Sequence, residues 1–209
     1  LPFLSKKLRV RRETASGDSL EMAAREARHS FFADCCRRAN LDAVATGHQA
    51  DDLAENLLLR LTRGAGCAGL SALRPRSAAA PSLAARAGHP YDMIRPLLSV
   101  SARALRAWLA ERDLPWCEDA SNRCADIPRN RMRHRALPLF ESAWGAPVRA
   151  AVCRSAEILR EEDALLETLA ERRLRAAAHG RALDLRAVAR APVALQRRLL
   201  RRWLIDGGQ

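Results

Sequence analysis

Four side chains able to bind cations or to move protons lie within eight residues of each other, at His48, Asp51, Asp52 and Glu55. Their spacings of three and four residues place subsets of them on one face of a helix. Carboxylates grouped in this way can hold Mg²⁺, which prefers oxygen ligands, or receive the ammonium group of an amine substrate. Acids in the first turn of a helix also stabilise its dipole without any ligand. The spacing by itself therefore leaves a functional site and a structural role open.

A glycine-rich stretch follows these acids and contains Arg63, Gly64 and Gly66. Glycine has no side chain to block approach, so the backbone here can come close to a nucleotide or to RNA. Glycine at such a place also commonly ends a helix, which is the alternative interpretation. We favour a loop that faces substrate.

A basic segment lies further along the chain, with Arg129, Arg131, Arg133 and Arg135 within seven residues and Asp126 as the acid nearby. Guanidinium groups pair well with phosphate oxygens, so this segment is a candidate for contact with the phosphates of a nucleic acid or a nucleotide. A solvated basic face of a helix is the competing interpretation.

The acids and the glycines are expected at the ends of regular elements of an α/β fold. The residue patterns predict a helix from Leu20 to about Ala39, a buried strand at 41–46, a helix at about 49–63, an extended segment at 93–98 and a helix at 101–112. Asp18 is expected to cap the first helix. Helices that alternate with strands predict a parallel sheet, and ligands bind such sheets at the carboxyl ends of the strands. The acids then lie at a ligand-binding edge.

The second half of the chain is predicted to be mainly helical. Residues 74–88 are interpreted as an exposed connector and residues 117–130 as a polar loop. Later patterns predict a long helix at about 147–178, a short strand at 180–185 and a basic amphipathic helix at 192–205. We therefore divide the chain into a catalytic part at 1–145 and a small helical domain at 146–209.

Composition favours a nucleic-acid partner. The 209 residues carry a formal net charge of +12, and basic side chains gain affinity by displacing counterions from phosphates. No apolar run approaches the roughly 20 residues that cross a bilayer, so we expect a cytoplasmic protein without a membrane partner. The six cysteines include no CxxC pair and are expected to be reduced thiols. Trp108 and Trp116 are assigned to packing rather than to base stacking.

One motif runs from residue 48 to residue 70. It reads His48-x-x-Asp51-Asp52-x-x-Glu55 and continues as Leu58-Leu59-Arg60-Leu61-x-Arg63-Gly64-x-Gly66-x-x-Gly69-Leu70. Later blocks are Arg95-Pro96-Leu97-Leu98, Trp116, Asp119-x-Ser121-Asn122 and Arg129-Asn130-Arg131-x-Arg133-His134. The motif resembles the signature of the tRNA(Ile)-lysidine synthetases, and the later blocks resemble those of the family in the same order. The resemblance covers nearly the whole chain.

The resemblance implies a fold and a reaction. The fold is an ATP-pyrophosphatase type of α/β domain, with an incomplete parallel, Rossmann-like sheet that binds nucleotide, followed by a small, mainly helical domain. The reaction uses ATP to adenylate the wobble cytidine in the CAU anticodon of tRNA(Ile), and free L-lysine then displaces AMP to form lysidine. ATP and Mg²⁺ are the implied cofactors.

The resemblance and the chemistry together assign roles to ten residues. His48, Asp52, Glu55 and Arg129 are expected to be catalytic, and Asp52 and Glu55 are also the expected ligands of Mg²⁺. The residues expected to bind substrate are Asp51, Arg63, Gly64, Gly66, Asn130 and Arg131. Arg129 and Asn130 fall on the family motif and are given more weight than Arg133 and Arg135.

The sequence departs from the family in one respect. The family's phosphate loop, Ser-Gly-Gly-x-Asp-Ser, does not occur in these 209 residues. We therefore expect a fragment of an active synthetase that is inactive by itself and prone to form homo-oligomers through an unpaired sheet edge. A tRNA-binding relative without catalysis and another tRNA-modifying enzyme of the same ATP-pyrophosphatase group are the alternatives.

Overall fold

The computed structural model describes residues 3–7, 20–79, 90–119, 122, 124, 126–145, 147–179 and 182–205. Contacts divide the chain into two compact units. The first contains Leu1–Leu53 and Arg74–Cys117, and the second contains Ala54–Leu73 and Glu118–Gln209. Each unit combines two separate stretches of the chain. The predicted domain boundary after residue 145 stays a prediction.

The described residues form an α/β protein with more helix than strand. In chain order the elements are α1 (Leu20–Ala39), β1 (Ala43–Ala45), α2 (Ala50–Leu61), α3 (Cys67–Leu70), β2 (Arg76–Ala78), β3 (Asp92–Ile94), α4 (Ala102–Ala110), α5 (Pro128–Arg131), a π-helix (Met132–Ala136), α6 (Leu137–Trp144), α7 (Val148–Ala177), β4 (Ala178–His179), β5 (Ala182–Leu183), α8 (Leu185–Ala189) and α9 (Val193–Ile205). None of the described helices is long and apolar enough to cross a membrane.

The sheet of the first unit has the strand order β1-β3-β2. Strand β1 pairs with β3 in parallel, as predicted, and β2 pairs with β3 in antiparallel orientation. The connector predicted at 74–88 is wrong over 76–78, where the edge strand β2 lies, and residues 80–88 of it lie outside the described residues. Three residues reading Arg-Ser-Ala carry no strand pattern, because their structure comes from pairing with β3 rather than from their own propensity.

Most of the remaining predicted elements of the first unit are confirmed, with shorter strands. Helix α1 covers the predicted range, whereas its expected cap Asp18 lies outside the described residues. The extended segment predicted at 93–98 ends at Ile94, because the chain turns there, with the Leu98 N–H donating to the Arg95 carbonyl at 3.3 Å. Ser101 caps α4 by accepting from the N–H of Ala104 at 3.1 Å.

The two tryptophans assigned to packing are instead half exposed. Trp108 lies on α4 with 49% of its surface accessible, and Trp116 retains 48%. The guanidinium carbon of Arg112 lies 4.2 Å from the centre of the Trp108 ring, so this ring forms a cation–π contact rather than a core contact.

The core of the first unit forms where α1 meets the sheet. Ala33 and Cys36 of α1 are buried with Met93 of β3 and with Tyr91, which precedes β3. His29, one turn earlier on α1, is also buried, and its Nδ1 lies 2.8 Å from the Tyr91 hydroxyl oxygen. Since the hydroxyl donates to the His29 carbonyl, the imidazole N–H is the donor to the Tyr91 oxygen.

The second unit is built around the 30-residue helix α7. Helices α3, α6, α8 and α9 all contact α7, and the predicted long helix and terminal helix are both confirmed. The strand predicted at 180–185 is a short hairpin of β4 and β5, with residues 180 and 181 outside the described residues. The buried residues of this core are Ala170, Leu174, Val188, Ala191, Leu195 and Leu199.

Acid is expected to weaken the first unit through His29. Burial, and then the positive charges of Arg25, Arg28 and Arg95, hold the pKa of His29 below its ordinary value of 6.5. The unfolded chain therefore takes up the proton first as the pH falls below about 6.5, and the free energy of unfolding drops by up to about 1.4 kcal/mol per pH unit. Urea unfolding at pH 7, 6 and 5 measures this slope.

The matched variants are His29→Gln, which keeps a partner for Tyr91 but does not titrate, and His179→Gln, which changes an exposed histidine. We expect the first variant to flatten the slope and the second to leave it unchanged. An unchanged slope in His29→Gln contradicts the assignment.

Candidate functional site

Helix α2 begins shortly after β1, and contacts within the first unit fix its first residue. The Thr46 N–H donates to the Ile94 carbonyl and the Ala50 N–H donates to the Val100 carbonyl, each at 2.9 Å. His48 lies between these two anchors, with its Nδ1 2.8 Å from the Thr46 hydroxyl oxygen. The segment after β3 thus holds both the end of β1 and the start of α2, which places the acids of the motif on the first two turns.

The two aspartates of the motif bind backbone N–H groups at helix starts. Asp52 is buried, and its Oδ2 accepts from the N–H of Gln49 at 3.0 Å. Asp51 Oδ2 accepts from the N–H of Ala102, the first residue of α4, at 2.8 Å. Helix starts leave such N–H groups unpaired and favour negative charge, so both contacts stabilise the fold. Asp51 thus connects α2 to the start of α4, and its predicted role toward substrate stays a prediction.

Glu55 lies on the next turn of α2, in the second unit, and has no exposed surface. Its Oε2 accepts from Arg129 Nε at 2.8 Å and from Arg133 Nη2 at 3.1 Å, and its Oε1 accepts from Arg133 Nε at 2.6 Å. A buried carboxylate stays charged only when cations and hydrogen bonds replace its water. Both oxygens of Glu55 meet this requirement through the two arginines.

The structure brings Arg129 and Arg133 together, although the sequence interpretation gave Arg133 little weight. Their spacing of four residues, which puts two side chains on one helix face, is the signal that identifies the pair. Arg129 keeps 39% of its side chain exposed and Arg133 keeps 26%, although both hold Glu55. Glu55 therefore holds both side chains, and each remains partly exposed.

Asn130 and Arg131, predicted to bind substrate, hold the preceding loop. Asn130 is buried, and its Nδ2 donates to the Cys124 carbonyl at 2.9 Å. Arg131 Nη1 donates to the Asp126 carbonyl at 3.1 Å. Asn130 thus anchors the loop that precedes α5, and its role toward substrate stays a prediction.

A π-helix at Met132–Ala136 continues the arginine segment and was not predicted. Pro138 follows it, and proline both lacks an N–H and clashes with the carbonyl four residues earlier, here that of His134. Widening the turn accommodates the proline without ending the helix. Pro138, ten residues after the start of α5 at Pro128, was the available signal, but periodicity alone does not distinguish a π-helix from a break.

Arg63 and Arg131 line one cavity of about 410 Å³ in the second unit, together with Arg135. The cavity lies between the last turn of α2 and the segment formed by α5, the π-helix and α6. Arg135 was predicted only as part of a basic face. The arginine segment therefore divides into Arg129 and Arg133, which hold Glu55, and Arg131 and Arg135, which line the cavity.

Gly64 ends helix α2, as the structural interpretation of this glycine proposed. Its φ is +71°, which glycine adopts without strain. The Gly64 N–H donates to the Leu61 carbonyl at 3.0 Å and the Ala65 N–H donates to the Arg60 carbonyl at 3.0 Å, the pattern of a Schellman motif. A Cβ added at Gly66 would meet no atom within 4 Å, so the space beside this backbone is open to a ligand.

Helix α7 anchors the segment that follows these glycines. Cys67 Sγ donates to the Leu159 carbonyl at 3.1 Å, and Ser71 Oγ lies 3.5 Å from Asp163 Oδ2. Asp163 is buried and pairs with Arg198 of α9, with Nη2 2.7 Å from Oδ1. One acid thus connects the glycine-rich segment with the two longest helices of the second unit.

The predicted magnesium ligands do not fit a metal in this arrangement. Both oxygens of Glu55 are engaged by guanidinium groups, and one oxygen of Asp52 binds the Gln49 N–H. Within the described ranges no group of three or more His, Cys, Asp and Glu side chains is placed to hold a metal ion. All six cysteines are free thiols. A metal or an ammonium ion at Glu55 requires that both arginines first release it.

Comparison with known proteins places this site in a family. Residues 3–140, which carry the acids, the glycines and the whole arginine segment, match the PP-loop domain. The chain belongs to the PP-loop domain family, whose members use ATP.

Its relatives include several tRNA(Ile)-lysidine synthases. The chain is 38% identical over 197 residues to that of Rhodococcus erythropolis, covering 94% of this chain and 55% of the relative. It is 39% identical over 201 residues to that of Nocardia farcinica, covering 96% and 58%. The synthase of Geobacter sulfurreducens is 39% identical over 210 residues, which are 97% of this chain and 42% of the relative. The chain thus spans about half the length of the relatives it matches.

Removing the buried acid of α7 is expected to destabilise the second unit. Asp163→Ala leaves the charge of Arg198, which is only 14% exposed, without its nearest partner. We expect the free energy of unfolding to fall by about 3 kcal/mol, as when one partner of a buried ion pair is lost. Urea unfolding followed by circular dichroism measures the change. Glu161→Ala, two residues away at an exposed position of the same helix, is the control. Equal losses in both variants contradict the structural role of Asp163.

Proposed function

We propose that this chain is part of a tRNA(Ile)-lysidine synthase, which joins L-lysine to the wobble cytidine of the CAU anticodon of tRNA(Ile) at the expense of ATP. The observation that carries the proposal is the similarity to synthases over 94–97% of this chain, together with the Glu55 and arginine cluster inside the matched family domain. The family assignment supports ATP use and tRNA modification, and the details of the reaction are our proposal.

The proposed reaction forms a carbon–nitrogen bond in two steps. The C2 carbonyl oxygen of the cytidine attacks the α-phosphorus of ATP, which forms an adenylated tRNA and releases pyrophosphate. The ε-amine of lysine then attacks C2, and AMP leaves with the oxygen. ATP supplies the activation when bound, and no step is assigned to a magnesium ion because the arrangement of Asp52 and Glu55 does not fit one.

Arg129 is the proposed contact to the reacting phosphates. Its Nε is held by Glu55 while 39% of its side chain stays exposed, so its position is set before substrate arrives. A preorganised cation stabilises charge that develops on phosphate oxygens in the transition state, without reorganisation at that moment. Glu55 is then a positioning residue for Arg129 and Arg133, and a direct catalytic role requires its release from them.

The acids at the start of α2 are the proposed receptor for lysine. Asp52, with Asp51 and His48 nearby in sequence, provides negative charge to attract the ammonium group of a free amino acid. Arg63, Gly64, Gly66, Asn130 and Arg131 are proposed to contact tRNA. We further propose that β1 and β3 are the parallel pair of a Rossmann-like sheet and that a domain boundary follows residue 145. We also propose that the protein forms homo-oligomers and is located in the cytoplasm.

A tRNA-binding relative without catalysis is the second candidate function. The saturation of Glu55 by two arginines favours it, since a carboxylate in that state offers nothing to a substrate. The two candidates differ in one measurement, the ATP-dependent incorporation of labelled lysine into tRNA by the full-length protein. Binding of tRNA without incorporation supports the second candidate. The 209 residues by themselves are expected to bind tRNA without forming AMP.

Arg129→Ala is expected to lower kcat/KM for lysidine formation by about 100-fold in the full-length protein, because a positioned donor to transition-state charge is lost. Arg154→Ala, which removes an exposed arginine of α7, is the control and is expected to change the rate by less than about twofold. Initial rates with labelled lysine measure both variants, with circular dichroism to compare folding. Equal rates in the two variants refute the role of Arg129.

A further inference from the structure

The cavity beside the arginine segment is lined by basic residues and by apolar residues, which we call its apolar floor. Leu59 of α2, Pro128 of α5, Met132 of the π-helix and Leu139 of α6 contribute apolar surface. Leu139 is 65% exposed, an unusual state for leucine that leaves an accessible apolar surface at the cavity. The volume of about 410 Å³ lies within the roughly 300–1,000 Å³ of pockets that bind small molecules.

Three arginines also line the cavity, Arg63, Arg131 and Arg135, and none of the lining residues is acidic. Arg129 and Arg133, on the same segment, instead compensate the charge of Glu55. Arg131 and Arg135 are four residues apart, so both lie on the cavity side of the segment. The cavity therefore favours a ligand that joins a flat apolar part to negative charge.

From these observations we infer that the cavity binds one unpaired nucleotide of the tRNA, with its base on the apolar floor and its flanking phosphates at the three arginines. Single-stranded RNA is recognised in this way, because its bases are free to leave the stack and its phosphates carry one charge each. This inference rests on the proposed function only for the identity of the RNA.

A nucleoside triphosphate fits the cavity less well. Triphosphates are held by successive backbone N–H groups at a glycine-rich turn and by a cation bound to carboxylates. The lining residues include neither a glycine nor a carboxylate. Separate guanidinium groups around an apolar floor instead match phosphates that are separated by sugars.

The test compares two leucine variants of the full-length protein. Leu139→Glu places a negative charge in the cavity at a position exposed enough to tolerate it. Leu165→Glu makes the same change at a leucine of α7 that is 61% exposed and outside the cavity lining. Fluorescence anisotropy measures Kd for a labelled CAU anticodon stem-loop and for an RNA duplex of equal length, without ATP or lysine.

We expect Leu139→Glu to raise Kd for the stem-loop by about tenfold, which is the effect of losing one stacked base contact. Leu165→Glu should raise this Kd by less than about twofold. Kd for the duplex, which has no unpaired nucleotide, should change by less than about threefold in both variants. Arg135→Ala should weaken stem-loop binding and flatten its salt dependence, with Arg154→Ala as its control.

Three results overturn the inference. Equal losses for stem-loop and duplex indicate a phosphate surface without a base site, and unchanged Kd values in Leu139→Glu indicate an unused cavity. If Leu139→Glu raises the KM for ATP and leaves the Kd for the stem-loop unchanged, the cavity binds ATP rather than a nucleotide of the RNA. Because binding is measured without the reaction, failure to form lysidine refutes the proposed function while leaving this inference standing.

Discussion

The buried charge of Glu55 is the constraint on which the site depends. A carboxylate without exposed surface requires cations and hydrogen bonds in place of water, and Arg129 and Arg133 supply both. This requirement joins α2 to the segment at 128–136 across 74 residues of sequence, between Glu55 and Arg129. The same two segments form walls of the cavity, so the ion cluster also maintains the surface that we assign to RNA.

The arginine segment separates two tasks by its helical spacing. Arg129 and Arg133 face the buried acid, whereas Arg131 and Arg135 face the cavity. Four arginines in seven residues would repel each other without compensation, and Glu55 neutralises one charge of this group. The division explains how one short basic segment can serve both positioning near the reacting phosphates and contact with RNA.

Periodicity predicted the long helices because it is a local signal, and the alternation of helices and strands predicted the parallel pair, whereas the roles of the site residues stay predictions. These patterns did not predict β2, whose three residues depend on β3 for pairing, or the π-helix, which depends on the position of Pro138. The contacts of Glu55 with Arg129 and Arg133 were also missed, since the spacing of the two arginines indicates a shared helix face but not that Glu55 lies opposite it. The half-exposed Trp108 shows that aromatic residues at helical spacing need not be core residues.

A double-mutant cycle at Glu55 and Arg133 tests most directly whether this ion cluster holds the site together. The free energies of unfolding of Glu55→Gln, Arg133→Met and the double variant are measured by urea unfolding and compared with the unsubstituted protein. Our account predicts a coupling free energy of about 2 kcal/mol, because Glu55→Gln removes the negative partner of Arg133 and Arg133→Met removes two of the three hydrogen bonds that Glu55 accepts from the arginines, whereas the double change removes both charges. Additive effects, with a coupling near zero, would contradict it.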